Sequence, residues 1–161
     1  MNRFNELYEE NKKLDKIFCD LYDNNRDIFE KNVLELLVEL GELANETRCF
    51  KYWSNKRPSD KSIILDEFAD CMIMVLYFCN ILKIDLNEEF GELEDKNVIQ
   101  LFIYLYHESS MLLEDFTKLR IKNILGNLVK LGDALGFSDE DIINGGLLKI
   151  ERNKLRIENG F

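Results

Sequence analysis

Two short acidic motifs carry most of the chemistry written in this 161-residue chain. Glu35, Glu39, Glu42 and Glu46 follow one another at spacings of four, three and four. On a helix they fall within about 60° of one another and form one carboxylate stripe. Leu36, Leu40 and Leu43 flank that stripe on one side, with Leu34 and Val38 on the other. A second pair, Glu67 and Asp70, shares a helical face with Ile63, Cys71, Met74 and Phe78. Ionised carboxylates on apolar faces are costly unless a positive group accompanies them, and few Lys or Arg lie within either segment. If the two helices pack antiparallel, Glu39-x-x-Glu42 and Glu67-x-x-Asp70 meet at one point, where like charges raise each other's pKa unless a divalent cation holds them ionised. Oxygen donors without His or Cys suit Mg²⁺, with Mn²⁺ as a substitute, rather than zinc. The competing reading is that these acids are solvated, or are paired with Lys and Arg from elsewhere in the chain. The apolar setting of both pairs favours the metal.

Positive charge is concentrated in two places. Residues 48–61, between the acidic motifs, hold Arg48, Lys51, Lys56, Arg57 and Lys61 against Asp60, and residues 147–161 hold Lys149, Arg152, Lys154 and Arg156 against Glu151 and Glu158. A metal site with basic flanks suits a polyphosphate whose oxygens are shared between the cation and Lys or Arg; solubilising surface charge is the alternative. Trp53, the single tryptophan, could stack on a nucleobase or anchor a core or dimer interface. The single histidine, His107, has no recognisable acid–base partner and is read as packing or surface.

The elements that must position these groups are helices. One Pro and eight Gly leave few forced stops, and apolar residues recur at three- and four-residue spacing. The pattern predicts helices at 2–22, 28–50, 60–83, 95–115, 117–135 and 139–158 in one domain spanning residues 1–161. Ser59 is expected to cap the third, a Ser138–Asp141 capping box to open the last, and Gly132 and Gly136 to close the fifth. Leu101–Tyr106 is strand-like by composition but has no partner strand, so helix is expected there. A net charge of −10 argues against nucleic acid or an anionic membrane as main partner. The longest apolar run, nine residues from Cys71 to Cys79, is far short of the roughly 20 that span a bilayer. With no signal-peptide pattern and four scattered cysteines, a cytoplasmic protein with reduced thiols is expected.

The stretch from Glu35 through Glu39, Glu42 and Glu46 to Lys51-Tyr-Trp53-Ser resembles the first metal motif of the dimeric all-α dUTPases, which belong with the MazG-like all-α NTP pyrophosphatases. Glu67-Phe-Ala-Asp70 is similar to their second metal motif, and Lys149, Asn153, Arg156 and Gly160-Phe161 are similar to their C-terminal pattern. The resemblance implies an intertwined helical homodimer that hydrolyses dUTP to dUMP and pyrophosphate with Mg²⁺, keeping the nucleotide pool clean. It implies Glu39, Glu42, Glu67 and Asp70 as metal ligands, and Glu39 with Glu46 or Glu35 as the acids that position or deprotonate water. Lys149 and Arg156 would bind phosphate, Asn153 and Lys51 the nucleotide, and Trp53 would wall the base pocket, the C-terminus closing over substrate in its own or the partner subunit.

Several positions depart from that family's pattern. Asn11 stands where relatives carry a Gln that reads the uracil edge, Ile73 where a His is expected, and Gly146, Ile150 and Ile157 where a Tyr, an Asn and a Gln are expected. These departures leave two alternatives: a related pyrophosphatase that prefers dCTP or a modified pyrimidine, or a non-catalytic helical dimer that binds a protein partner.

Overall fold

The computed structural model describes residues 2–22, 27–88 and 95–160. Among them are six α-helices and no strand: α1 (Asn5–Tyr22), α2 (Ile28–Thr47), α3 (Lys61–Ile81), α4 (Val98–Ser110), α5 (Lys118–Ala134) and α6 (Asp139–Glu158). Short 3₁₀ turns at Asn2–Phe4 and Met111–Leu113 take the ends expected to be α-helical. The strand-like stretch Leu101–Tyr106 lies within α4. Phe161, half of the closing Gly-aromatic pair, lies outside the described residues.

The helix most uniformly apolar in sequence is the central one. Phe68, Cys71, Met72, Val75, Leu76, Phe78 and Cys79 of α3 are all buried, and α3 packs against α1, α2, α5 and α6. Its partnership with α2 is antiparallel: the Phe29 and Phe78 rings meet edge-on at 5.8 Å at one end, and Glu46 accepts a hydrogen bond from Ser59 at the other. Leu36, Leu40 and Leu43 turn into this contact and are buried, while Leu34 and Val38 on the opposite flank stay exposed.

Local stops differ from expectation in two places. α2 ends at Thr47 rather than near residue 50, because Arg48 adopts a left-handed conformation with φ 55°, a cost ordinarily borne by glycine. Ser59 does not cap α3, since its hydroxyl is engaged by Glu46 and Asp60 occupies the cap position. The Ser138–Asp141 capping box forms as expected, and Gly136, with φ 83°, follows the end of α5.

α6 lies close against α1, and Gly146 permits this. A Cβ there would sit 2.7 and 2.8 Å from the two terminal carbons of Leu7, a fully buried side chain with little room to move. Two of the departures from the family pattern are therefore packing: Gly146 is a point of close approach, and Ile150 is buried in the core. Gly146→Ala gains helix propensity of about 0.5–1 kcal/mol but overpacks the interface by about 1–3 kcal/mol. A lower urea midpoint is expected; a higher one would show that Leu7 is free to relocate.

Candidate active site

Antiparallel packing of α2 on α3 brings Glu39, Glu67 and Asp70 together, with one carboxylate oxygen from each lying within 4.8 Å of the others. All three are half-buried. Glu42, on the same stripe, is exposed, and its charge acts on both Glu39 and Glu67. The electrostatics are those of a crowded anionic site. Glu39 is pushed up to about 7, first by desolvation and then by the charges of Asp70, Glu42, Glu35 and Glu67. Desolvation, reinforced by Glu42 and Asp70, raises Glu67, and Glu35 is raised by desolvation and by Asp70. Cys71 lies close enough to feel Glu39, Asp70 and Glu67, but burial pushes its thiol far up and keeps it protonated. The donor set is thus all oxygen, and the carboxylates are under-neutralised as a group, which is what a hard divalent cation requires.

Among the described residues, Lys149 is the positive group in direct contact with the cluster. Lys149 of α6, 7% exposed, places its ammonium against Asp70 Oδ2 and 2.9 Å from Asp66 Oδ2. Desolvation works against the charged ammonium, but the two carboxylates outweigh it and raise the Lys149 pKa. Asp70 is raised by its burial against the opposing pull of Lys149. The reading that acids pair with Lys from elsewhere thus holds for Asp70, while Glu39 and Glu67 are left to the cluster.

On α6, Lys149, Asn153 and Arg156 recur at four and three residues, so they share one face. Arg156 is exposed and its charge reaches Asp70. Asn153 lines a largely apolar pocket of about 130 Å³ together with Leu14, Asp15, Asn32, Glu35 and Tyr77. Glu35 thus links the acidic cluster to this pocket. Ile73 and Met74 complete its wall, so the Ile found where the family carries His makes the pocket more apolar.

The remaining expected residues are distributed differently. Asn11 is fully buried, its amide donating to Asp15 at 3.4 Å and to the Ile73 carbonyl at 3.3 Å; it supports the pocket from below. Lys51 folds back onto Asn45 at the end of α2. Glu46 is engaged by Ser59 and by the Asn45 amide at 3.4 Å, on the rim of an open depression that it shares with Glu42 and Glu67. Trp53 is 65% exposed, edge-on to Phe50 and Tyr52, so it is not a core anchor. The His107 side chain is 67% exposed, at the surface as expected.

Two further acids border the site, Asp66 and Asp15. Asp66 binds Lys149 and, at 2.5 Å, Arg152; its position beside Glu67 was the available signal. Asp15 is buried, accepts from Asn80 at 2.8 Å, and is pushed up to about 6 by desolvation against that hydrogen bond. Its spacing of four from Asn11 was the clue.

Fold and site together define an all-α protein in which acids from two helices could hold a divalent metal, with a lysine and a pocket beside them. The chain belongs to the all-α dUTPase family: the family model described as dUTPase matches residues 3–161. That membership makes it a hydrolase acting on dUTP. A comparison with curated proteins finds no match. Among the described residues no helix is long and apolar enough to cross a membrane.

Glu39 and Asp15 keep protons in the folded state at pH values where the unfolded chain, with reference values of 4.5 and 3.8, has released them. Their contribution therefore favours folding below those reference values and is lost as pH rises through about 6 and about 7. In EDTA the Tm is expected to fall between about pH 5 and pH 8; a Tm that is flat or rising across that window would contradict the placement of these acids.

Proposed function

We propose that the protein is a cytoplasmic homodimer that hydrolyses dUTP to dUMP and pyrophosphate with Mg²⁺, Mn²⁺ being a substitute. The observation that carries this reading is the convergence of Glu39, Glu67 and Asp70 within 4.8 Å, beside Lys149 and a pocket large enough to begin enclosing a base or sugar. Glu39, Glu67 and Asp70 would hold the cation, with Glu42 entering from the same stripe. The bound cation supplies charge neutralisation of the phosphate oxygens and activation of water.

The chain's own groups do the rest. Lys149 and Arg156 bind phosphate oxygens from one face of α6, fixing the reacting phosphorus over the acids. Asn153, four residues beyond Lys149 on that face, orients the nucleoside into the pocket. The apolar walls from Phe18, Ile73, Met74 and Tyr77 exclude water around it. Glu35 is better suited than Glu46 to take a proton from the attacking water. Glu35 borders both the pocket and the cluster, and its pKa is raised by burial and by Asp70, whereas the two carboxylate oxygens of Glu46 accept from Asn45 and Ser59. Lys51 and Trp53 would reach substrate from the loop after α2 through movement of that loop, and Trp53's exposure leaves it available to do so.

Base preference rests on the pocket. Asn11 supports it from below rather than lining it, and Asp15 supplies a carboxyl inside it, so the polar group presented to a pyrimidine differs from the pattern's Gln.

Pyrophosphate release from dUTP, dCTP, dTTP and UTP, each with Mg²⁺ and with EDTA, tests the reading. Cleavage of dUTP abolished by EDTA is expected, and a preference for dCTP would show a pocket retuned around Asp15. No cleavage of any nucleotide would contradict it. Glu39→Gln and Asp70→Asn should each lower kcat about 10²-fold or more while circular dichroism stays native. Retained turnover in either would mean that the cation site is elsewhere.

A further inference from the structure

Lys149 creates a conflict inside the proposed cation site. Its ammonium lies on Asp70 Oδ2, and Asp70 is one of the three acids whose oxygens converge. An ammonium and a divalent cation repel each other at such separations, so a cation that takes Asp70 Oδ2 would displace Lys149 from that oxygen. A lysine that is 7% exposed cannot give up its partner without cost, because a buried unpaired charge is strongly destabilising.

Asp66 resolves the conflict geometrically. It precedes Asp70 by four residues on α3 and so occupies the same face one turn away. It already accepts from Lys149 through Oδ2 at 2.9 Å, and its other oxygen is fixed by Arg152 at 2.5 Å. Its carboxylate lies outside the converging group of Glu39, Glu67 and Asp70. We infer that Asp66 is a positioning residue: it retains Lys149 when a cation takes Asp70, so that the ammonium shifts along α3 and stays beside the site. The inference rests on the cation-site reading above and adds to it a residue that acts through Lys149, touching neither cation nor substrate.

Without Asp66, the partner left to Lys149 at this point is Asp70, and lysine and cation compete for it. Calorimetric titration with Mn²⁺ alone, in the absence of nucleotide, measures this directly on the wild type, Asp66→Asn, Lys149→Gln and the double variant. Asp66→Asn is expected to weaken Mn²⁺ binding about tenfold, and Lys149→Gln to bind at least as tightly as wild type. The double variant should bind like Lys149→Gln, because the competitor is gone. Asp66→Glu should recover most of the loss, and Asp66→Ser carries the same test if Asp66→Asn does not fold. An equal loss in both lysine backgrounds would overturn the inference, showing that Asp66 acts only through its field; no loss in Asp66→Asn would overturn it too. Wild-type protein that takes up no Mn²⁺ would instead overturn the cation-site reading, and the inference with it.

Discussion

The structure depends on an electrostatic constraint imposed by packing. α2 and α3 form the antiparallel pair around which the other helices assemble, and their largely apolar facing sides carry the carboxylates of Glu39, Glu67 and Asp70. Hydrophobic burial of Leu36, Leu40, Phe68 and Cys71 holds those acids near one another whether or not their charges are compensated. Repulsion and desolvation then push Glu39 to about 7. The fold stores an unfavourable arrangement that a divalent cation would relieve, and affinity for such a cation would then come from the helix pair rather than from a flexible loop. Preorganisation of this kind lowers the ordering cost at the moment of binding.

The last helix completes the arrangement. The capping box at Ser138 starts α6, Gly146 lets it lie against α1, and Lys149 of this helix reaches Asp70 in the acidic cluster. Lys149, Asn153 and Arg156 then run along one face, from the acids to the apolar pocket. A single rigid element thereby carries the groups suited to phosphate and nucleoside, with their spacing fixed by helix geometry.

The helices were legible because the chain has few stops and a clear three-to-four periodicity, and α3 could be recognised as central from its all-round apolarity. The convergence of Glu39, Glu67 and Asp70 was legible too, since two acidic pairs on apolar faces have few ways to pack, but Glu42, expected with them, lies outside the converging trio. What escaped depends on registers between distant segments. Ser59 has the residue type of a helix cap, yet antiparallel packing delivers it to Glu46. Arg48 ends α2 in a left-handed conformation that a glycine would have advertised and an arginine does not. Asp66 gains its role only when α6 brings Lys149 and Arg152 onto it, 83 and 86 residues along the chain. Asn11 reads as a group that contacts substrate, but the helical turn that presents Asp15 to the pocket tucks Asn11 beneath it.

The central claim is that the acids of α2 and α3 form a divalent-cation site in direct contact with a lysine from α6. A crystal structure with Mn²⁺ and a non-hydrolysable dUTP analogue, with anomalous scattering used to locate the metal, tests it most directly. An anomalous peak bound by Glu39, Glu67 and Asp70 at about 2.0–2.2 Å is expected, with the analogue's phosphates between it and α6. Lys149 should have moved off Asp70 Oδ2 while remaining on Asp66. A peak elsewhere, or none at these acids with Lys149 still on Asp70, would contradict it.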